Sequence, residues 1–149
     1  MAINSSAPTY MDTLKSVLET RPALSDVVIR TGPIHDSRGR DSLEIIAVDA
    51  ENTWGALGNK KIDEDYLIEA VIWGYARGVD DESAIKNARD GAFLIFDEML
   101  EAIRDDPRMN NSVRQSIAGA YKLEQGWTSE HRVARLDVEI HITNGLRSS

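Results

Sequence analysis

The sequence predicts an α+β fold: a mainly antiparallel β-sheet with two helices packed on one face and a long C-terminal β-hairpin. Three observations predict it. The last third of the chain alternates apolar and polar residues with period two over two long segments. A stretch near residues 81–104 instead repeats apolar residues at three and four, the period of a helix with a buried stripe. The full order reads helix, two strands, long loop, strand, long helix, two strands. Helices covering one face of a sheet meet that order most simply.

The first helix is predicted from Tyr10, Leu14, Val17 and Leu18, which share a helical face after Pro8 and Thr9; Pro22 stops it. Val27-Val28-Ile29-Arg30 reads as a strand closed by Gly32-Pro33. Residues 33–42 read as a loop, and Leu43-Glu44-Ile45-Ile46-Ala47-Val48 as a β-branched second strand. Residues 49–62 read as a long polar loop carrying Trp54, Asn59, Lys60 and Lys61. Loops of that length without structure of their own are usually functional or disordered. Residues 65–75 carry apolar side chains on both faces, as a central strand does, and Trp73 is expected in the core.

Asp80, Asp81, Glu82 and Ser83 supply a cap and negative charge for the long helix. Ile85, Ala88, Ala92, Ile95, Met99 and Ile103 form its buried stripe, and Asp106-Pro107 ends it. Beyond it, Val113, Ile117, Tyr121, Leu123 and Trp127 share one parity, and Arg114, Ser116, Lys122 and Glu124 the other. The second arm sets Ala134, Leu136, Val138, Ile140 and Ile142 inward against Arg135, Asp137, Glu139 and His141. Strands of this length predict a hairpin that projects past its own core. One domain over 1–149 is expected, with about residues 1–8 and 145–149 frayed.

Composition narrows the function classes. The 149 residues include no cysteine, which removes disulfides, thiolate metal sites and cysteine nucleophiles together. The formal net charge is −8, so tight binding to a phosphate backbone is disfavoured. The first six residues lack the basic start and apolar run of a signal peptide. No stretch approaches the ~20 apolar residues of a membrane span. A soluble protein made in the cytoplasm is the expectation.

A search for chemistry finds no site. His35, His131 and His141 show no zinc-ligand spacing and read as surface or ordinary hydrogen-bonding residues. The Asp63-Glu64-Asp65 and Asp80-Asp81-Glu82 clusters lack the alternation and glycine turn of a calcium loop; a helix start accounts for the second. No nucleophile elbow, phosphate-binding loop or dinucleotide fingerprint occurs. No catalytic residue, cofactor or metal is therefore expected, and contact with other macromolecules is the predicted mode of action.

Several local phrases in sequence order carry a resemblance. They are the N-terminal helix with Leu14 and Leu18, then Val27-Val28-Ile29-Arg30-Thr31-Gly32-Pro33, Leu43-Glu44-Ile45-Ile46 and a loop with Trp54-Gly55 and Gly58. Asp63-Glu64-Asp65-Tyr66 leading into the strand through Trp73, an Ala-rich helix ending near Asp105-Asp106-Pro107, and the final hairpin complete them. In this order the chain resembles, over nearly its whole length, the tail terminator (tail completion, minor tail protein U-like) proteins of long-tailed bacteriophages. The resemblance implies a non-enzymatic virion protein, assembled in the host bacterial cytoplasm and placed at the head-proximal end of the tail. Its members form a ring, typically a hexamer, on the last ring of the major tail tube protein. That ring ends polymerisation at the length set by the tape measure protein and presents a surface to the head-side connector. Genome DNA passes through the lumen without specific binding.

The residues expected to make contacts are Trp54, Asn59, Lys60 and Lys61 in the long loop, with Arg77, Arg108, Asn110 and Asn111 as second choices. Two other readings compete. One is a connector or adaptor of the phage neck. The other is a small ligand-binding or enzymatic domain, whose cavity Trp73, Tyr75 and Tyr121 would line.

Overall fold

A computed structural model describes residues 5–33, 39–53, 61–78 and 81–147. Its elements in chain order are α1 (Ala7–Glu19), a 3₁₀ turn at Pro22–Leu24, β1 (Val28–Arg30), β2 (Ser42–Thr53), β3 (Lys61–Arg77), α2 (Glu82–Asp105), β4 (Gln115–Trp127) and β5 (His131–Arg147). The α+β architecture expected from the sequence is present. Among the described residues there is one five-stranded sheet in the order β1-β2-β3-β5-β4. Only the β1–β2 pair is parallel; the other three pairs are antiparallel.

Both helices lie on one face of the sheet. Tyr66, Ile68, Ala70 and Ile72 of β3 pair directly with Ile142, Ile140, Val138 and Leu136 of β5, and all eight are buried. Side chains directly opposite in a ladder share a face, so these pairs form one apolar floor. Ile95 and Met99 of α2, and Tyr10, Leu14 and Leu18 of α1, cover it and are themselves at most 1% exposed. Burial of this kind contributes about 1.5–3 kcal/mol per large aliphatic side chain.

Small residues set how closely α2 approaches. Ala84, Ala88 and Ala92, spaced four apart on one helical face, are buried, and Gly74 of β3 lies beneath them. A Cβ built on Gly74 would come within 2.1 Å of the Ala88 carbonyl oxygen. The helix starts where the acidic cluster predicts: the Asp81 carboxylate accepts from Ser83 N–H at 3.0 Å. Arg21, beside the 3₁₀ turn, reaches Glu98 and Glu101 and ties the end of α1 to α2. Tyr10 is fully buried, and desolvation raises its hydroxyl well above the usual phenol range, opposed by Ser116.

Asp41 closes the start of the β2–β3 ladder. Its Oδ1 accepts from the Tyr75 backbone N–H at 2.9 Å, replacing a strand partner at that level. Desolvation raises its carboxyl above the ordinary value, and the Tyr75 hydrogen bond offsets this only in part. With the folded pKa above the unfolded one, the folded state holds the proton more tightly. The stabilisation is complete below about pH 4 and is lost as pH rises through the folded value. Asp41→Asn keeps the acceptor and removes the charge, so no loss of stability is expected at pH 7. Its advantage over wild type should grow as pH rises through that window in urea titrations. Asp41→Ala strands the Tyr75 N–H and is expected to cost about 1–2 kcal/mol.

Four sequence expectations need correction. Of the loop expected at 49–62, residues 49–53 and 61–62 are strand, because β2 runs to Thr53 and β3 starts at Lys61, with the two paired out to Thr53↔Asp63; residues 54–60 lie outside the described residues. What projects past the helix-covered floor is therefore the β2–β3–β5 ladder, where Lys61 still pairs with Arg147, and not the β4–β5 hairpin. The parity of β4 also changes partway, since a register shift falls between Ala118 and Tyr121. Ser116, expected outward, is 3% exposed, and Ile117, expected inward, is 55% exposed. Trp73, expected in the core, is half-buried on the face away from the helices.

Candidate interaction site

The face of the sheet opposite the helices carries no covering layer among the described residues. Alternation puts Leu67, Glu69, Val71, Trp73 and Tyr75 of β3 on that face, opposite His141, Glu139, Asp137, Arg135 and Val133 of β5. Glu44 and Ala47 of β2, and Lys122 and Glu124 of β4, extend it to either side. The signs are mixed, and acids predominate.

Its upper half is a fixed polar and aromatic array. The Trp73 indole N–H donates to the Glu44 carboxylate. The Arg135 guanidinium carbon sits 5.2 Å from the Trp73 ring centroid, a cation–π distance, while its Nε donates to Asp137 at 2.8 Å. Trp73 stacks on Tyr75 at 6.3 Å, and Tyr75 meets the His131 ring edge-on at 6.1 Å. Val71 is only 4% exposed here although no layer of described residues covers it. Side chains held by several partners lose little further freedom on binding, which favours recognition.

The sheet also has two long edges without a strand partner among the described residues. β4 is the outer strand on one side, 13 residues long, and carries exposed Ile117, Tyr121 and Trp127. On the other side β1 pairs only with Ser42, Leu43 and Glu44, which leaves residues 45–53 of β2 unpaired outward. Unpaired edges are templates for added strands. At the tip of the β4–β5 hairpin, Trp127 is 69% exposed with Arg132 over its ring at 5.6 Å.

The contact residues expected from the sequence are not brought to one place. Trp54, Asn59 and Lys60 lie outside the described residues. Lys61 opens β3 and Arg77 ends it, so they stand roughly 50 Å apart along one strand. Arg108, Asn110 and Asn111 are exposed in the turn after α2. That turn leads into β4 at Gln115, opposite Thr143, which in turn pairs with Asp65, so it shares the Lys61 end of the sheet. Asn110 and Asn111 hold φ of 56° and 61°. The Glu44–Trp73–Arg135–Asp137 array was not foreseen; the polar parity of β5 was legible, but its match to alternate residues of β3 needs the register.

Among the described residues no group of three or more His, Asp or Glu could hold a metal ion. Trp73 and Tyr75 lie on the open face, whereas Tyr121 packs on Phe93 and Phe96 under α2. The three aromatic residues of the ligand-cavity reading therefore point to opposite sides of the sheet. Compared with known proteins, the chain matches no family model and no curated sequence.

Proposed function

We propose that this chain is a structural ring protein that caps a phage tail tube, ends its polymerisation and offers the surface to which a head attaches. The observation that carries the reading is a sheet of long strands with one bare face and both edges unpaired among the described residues. Such edges gain their hydrogen bonds when another strand lies beside them. β2 and β4 run in opposite directions. Setting β4 of one copy along the free part of β2 in the next, offset to clear β1, continues the antiparallel order. A head-to-tail contact of this kind that closes by rotation yields a ring. The ordered resemblance of the sequence to tail terminators supplies the tube and connector as partners.

The test is addition of purified protein to phage tails that lack their cap. Binding at the tube end, as a ring in electron micrographs, together with gained competence for head joining, is the expected result. Binding to heads and not to tube ends would assign the chain to the neck instead. A protein that stays monomeric on tubes and leaves their length unregulated is incompatible with the proposal.

A further inference from the structure

Across the middle of the open face the side chains shorten at both flanks. On β2, Ala47 stands directly opposite Glu69; on β3 and β5, Glu69 stands directly opposite Glu139. On β4 the same level falls in the register shift between Ala118 and Tyr121, occupied by Gly119 and Ala120. The row therefore reads Ala47, Glu69, Glu139, Gly119-Ala120: two carboxylates between small residues. Val71 and Asp137 bound it on one side. The result is a depression of about 360 Å³ lined by Ile46, Glu69, Val71, Lys122, Asp137 and Glu139, among others.

The charges in this groove are unbalanced. Like charges directly opposite in an antiparallel ladder destabilise it, with Cβ atoms about 5 Å apart. The nearby cations are already engaged: Arg135 with Asp137 at 2.8 Å and Lys122 with Glu124 at 3.1 Å. Neither Glu69 nor Glu139 has an ion pair or hydrogen bond from a side chain among the described residues. A sheet face that keeps such a pair beside buried Val71 is complementary to one kind of occupant, a group with a cationic head on an apolar stem.

We propose that this groove is a docking site for a basic, extended segment of another polypeptide. One arginine or lysine of the segment sets its head between Glu69 and Glu139, and its stem and an apolar neighbour lie on Val71 and Ile46. The long basic side chains suit the site because their methylene stems cover apolar surface while the head stays charged. The proposal concerns the isolated protein and does not rest on ring formation. A failed tail-capping assay leaves it standing, and its own failure leaves the ring reading untouched.

The experiment is calorimetric titration of the full chain with a synthetic peptide of alternating arginine and valine, and with its glutamate-for-arginine counterpart. The arginine peptide should bind saturably and more weakly as salt rises, and the glutamate peptide not at all. Glu69→Gln with Glu139→Gln should weaken binding about tenfold or more, while raising the thermal midpoint by relieving the repulsion. Asp97→Asn with Asp105→Asn removes the same charge from exposed positions of α2 and should leave binding nearly unchanged. Ala47→Lys, which places a cation opposite Glu69, should block the peptide and also raise the midpoint. Equal weakening by both double variants, absence of saturable binding, or equal binding of the glutamate peptide would each overturn the proposal.

Discussion

Replacing Gly74 by alanine is expected to cost about 3 kcal/mol or more, lowering the thermal midpoint by roughly 10 °C for a chain of this size. The cause is contact, not backbone freedom. The new methyl would meet the Ala88 carbonyl oxygen at 2.1 Å and the Ala92 nitrogen at 2.9 Å, both helix backbone that cannot rotate away. The helix must lift as a whole. Ile95 and Met99, one and two turns on from Ala92 and at most 1% exposed, would lose contact with the floor together. Gly126→Ala in β4 is the matched control, since a Cβ there meets nothing within 4 Å; it should change the midpoint by no more than a degree or two. Near-equal midpoints for the two variants would mean that α2 does not sit down on β3 as described.

Why some of this was legible beforehand, and some not, follows from the range over which each signal acts. The stripe on α2 and the alternation of β5 are local periodicities imposed by one buried face, and both elements appear where the pattern puts them. The register shift in β4 is different. A bulge inserts residues without altering composition, and Gly119 was its only local trace, yet it sends Ile117 and Tyr121 to opposite faces. Residues 49–53 of β2 and 61–62 of β3 fall within the loop expected at 49–62, because that segment is mostly polar. Pairing holds them extended, residues 49–53 with 63–67 of β3 and residues 61–62 with 146–147 of β5, a long-range cause that local propensity does not report. The same limit applies to the open face. Glu69 and Glu139 are unremarkable separately and become a site only because the ladder sets them opposite each other.

The turn after α2 is the second place where a single change should have a large effect, and it joins stability to the proposed contacts. Met109, Asn110 and Asn111 all adopt positive φ, at 46°, 56° and 61°. Each such residue costs about 1–2 kcal/mol for an ordinary side chain and less for asparagine. That strain is held by anchors around it. The Met109 side chain is fully buried, Asp106 accepts from Asn110 N–H at 2.7 Å, and Ser116 Oγ donates to the Pro107 carbonyl at 2.7 Å. Met109→Ala keeps the strained backbone but removes the anchor, leaving a cavity, and is expected to cost about 2–4 kcal/mol. Hydrogen exchange at residues 108–112 should rise more than in the middle of α2, because the strain is released locally. Asn111→Gly acts in the opposite sense, with an expected gain of about 0.5–1 kcal/mol, since glycine adopts this φ freely. Arg108, Asn110 and Asn111 ride on this turn, so on the proposed role Met109→Ala should also weaken attachment to tube or connector. Asn111→Gly separates the causes: a more stable chain that joins heads less well would assign the asparagine side chain itself to the contact. A Met109→Ala protein as stable as wild type, with unchanged exchange at 108–112, would show that the turn is not held in this way.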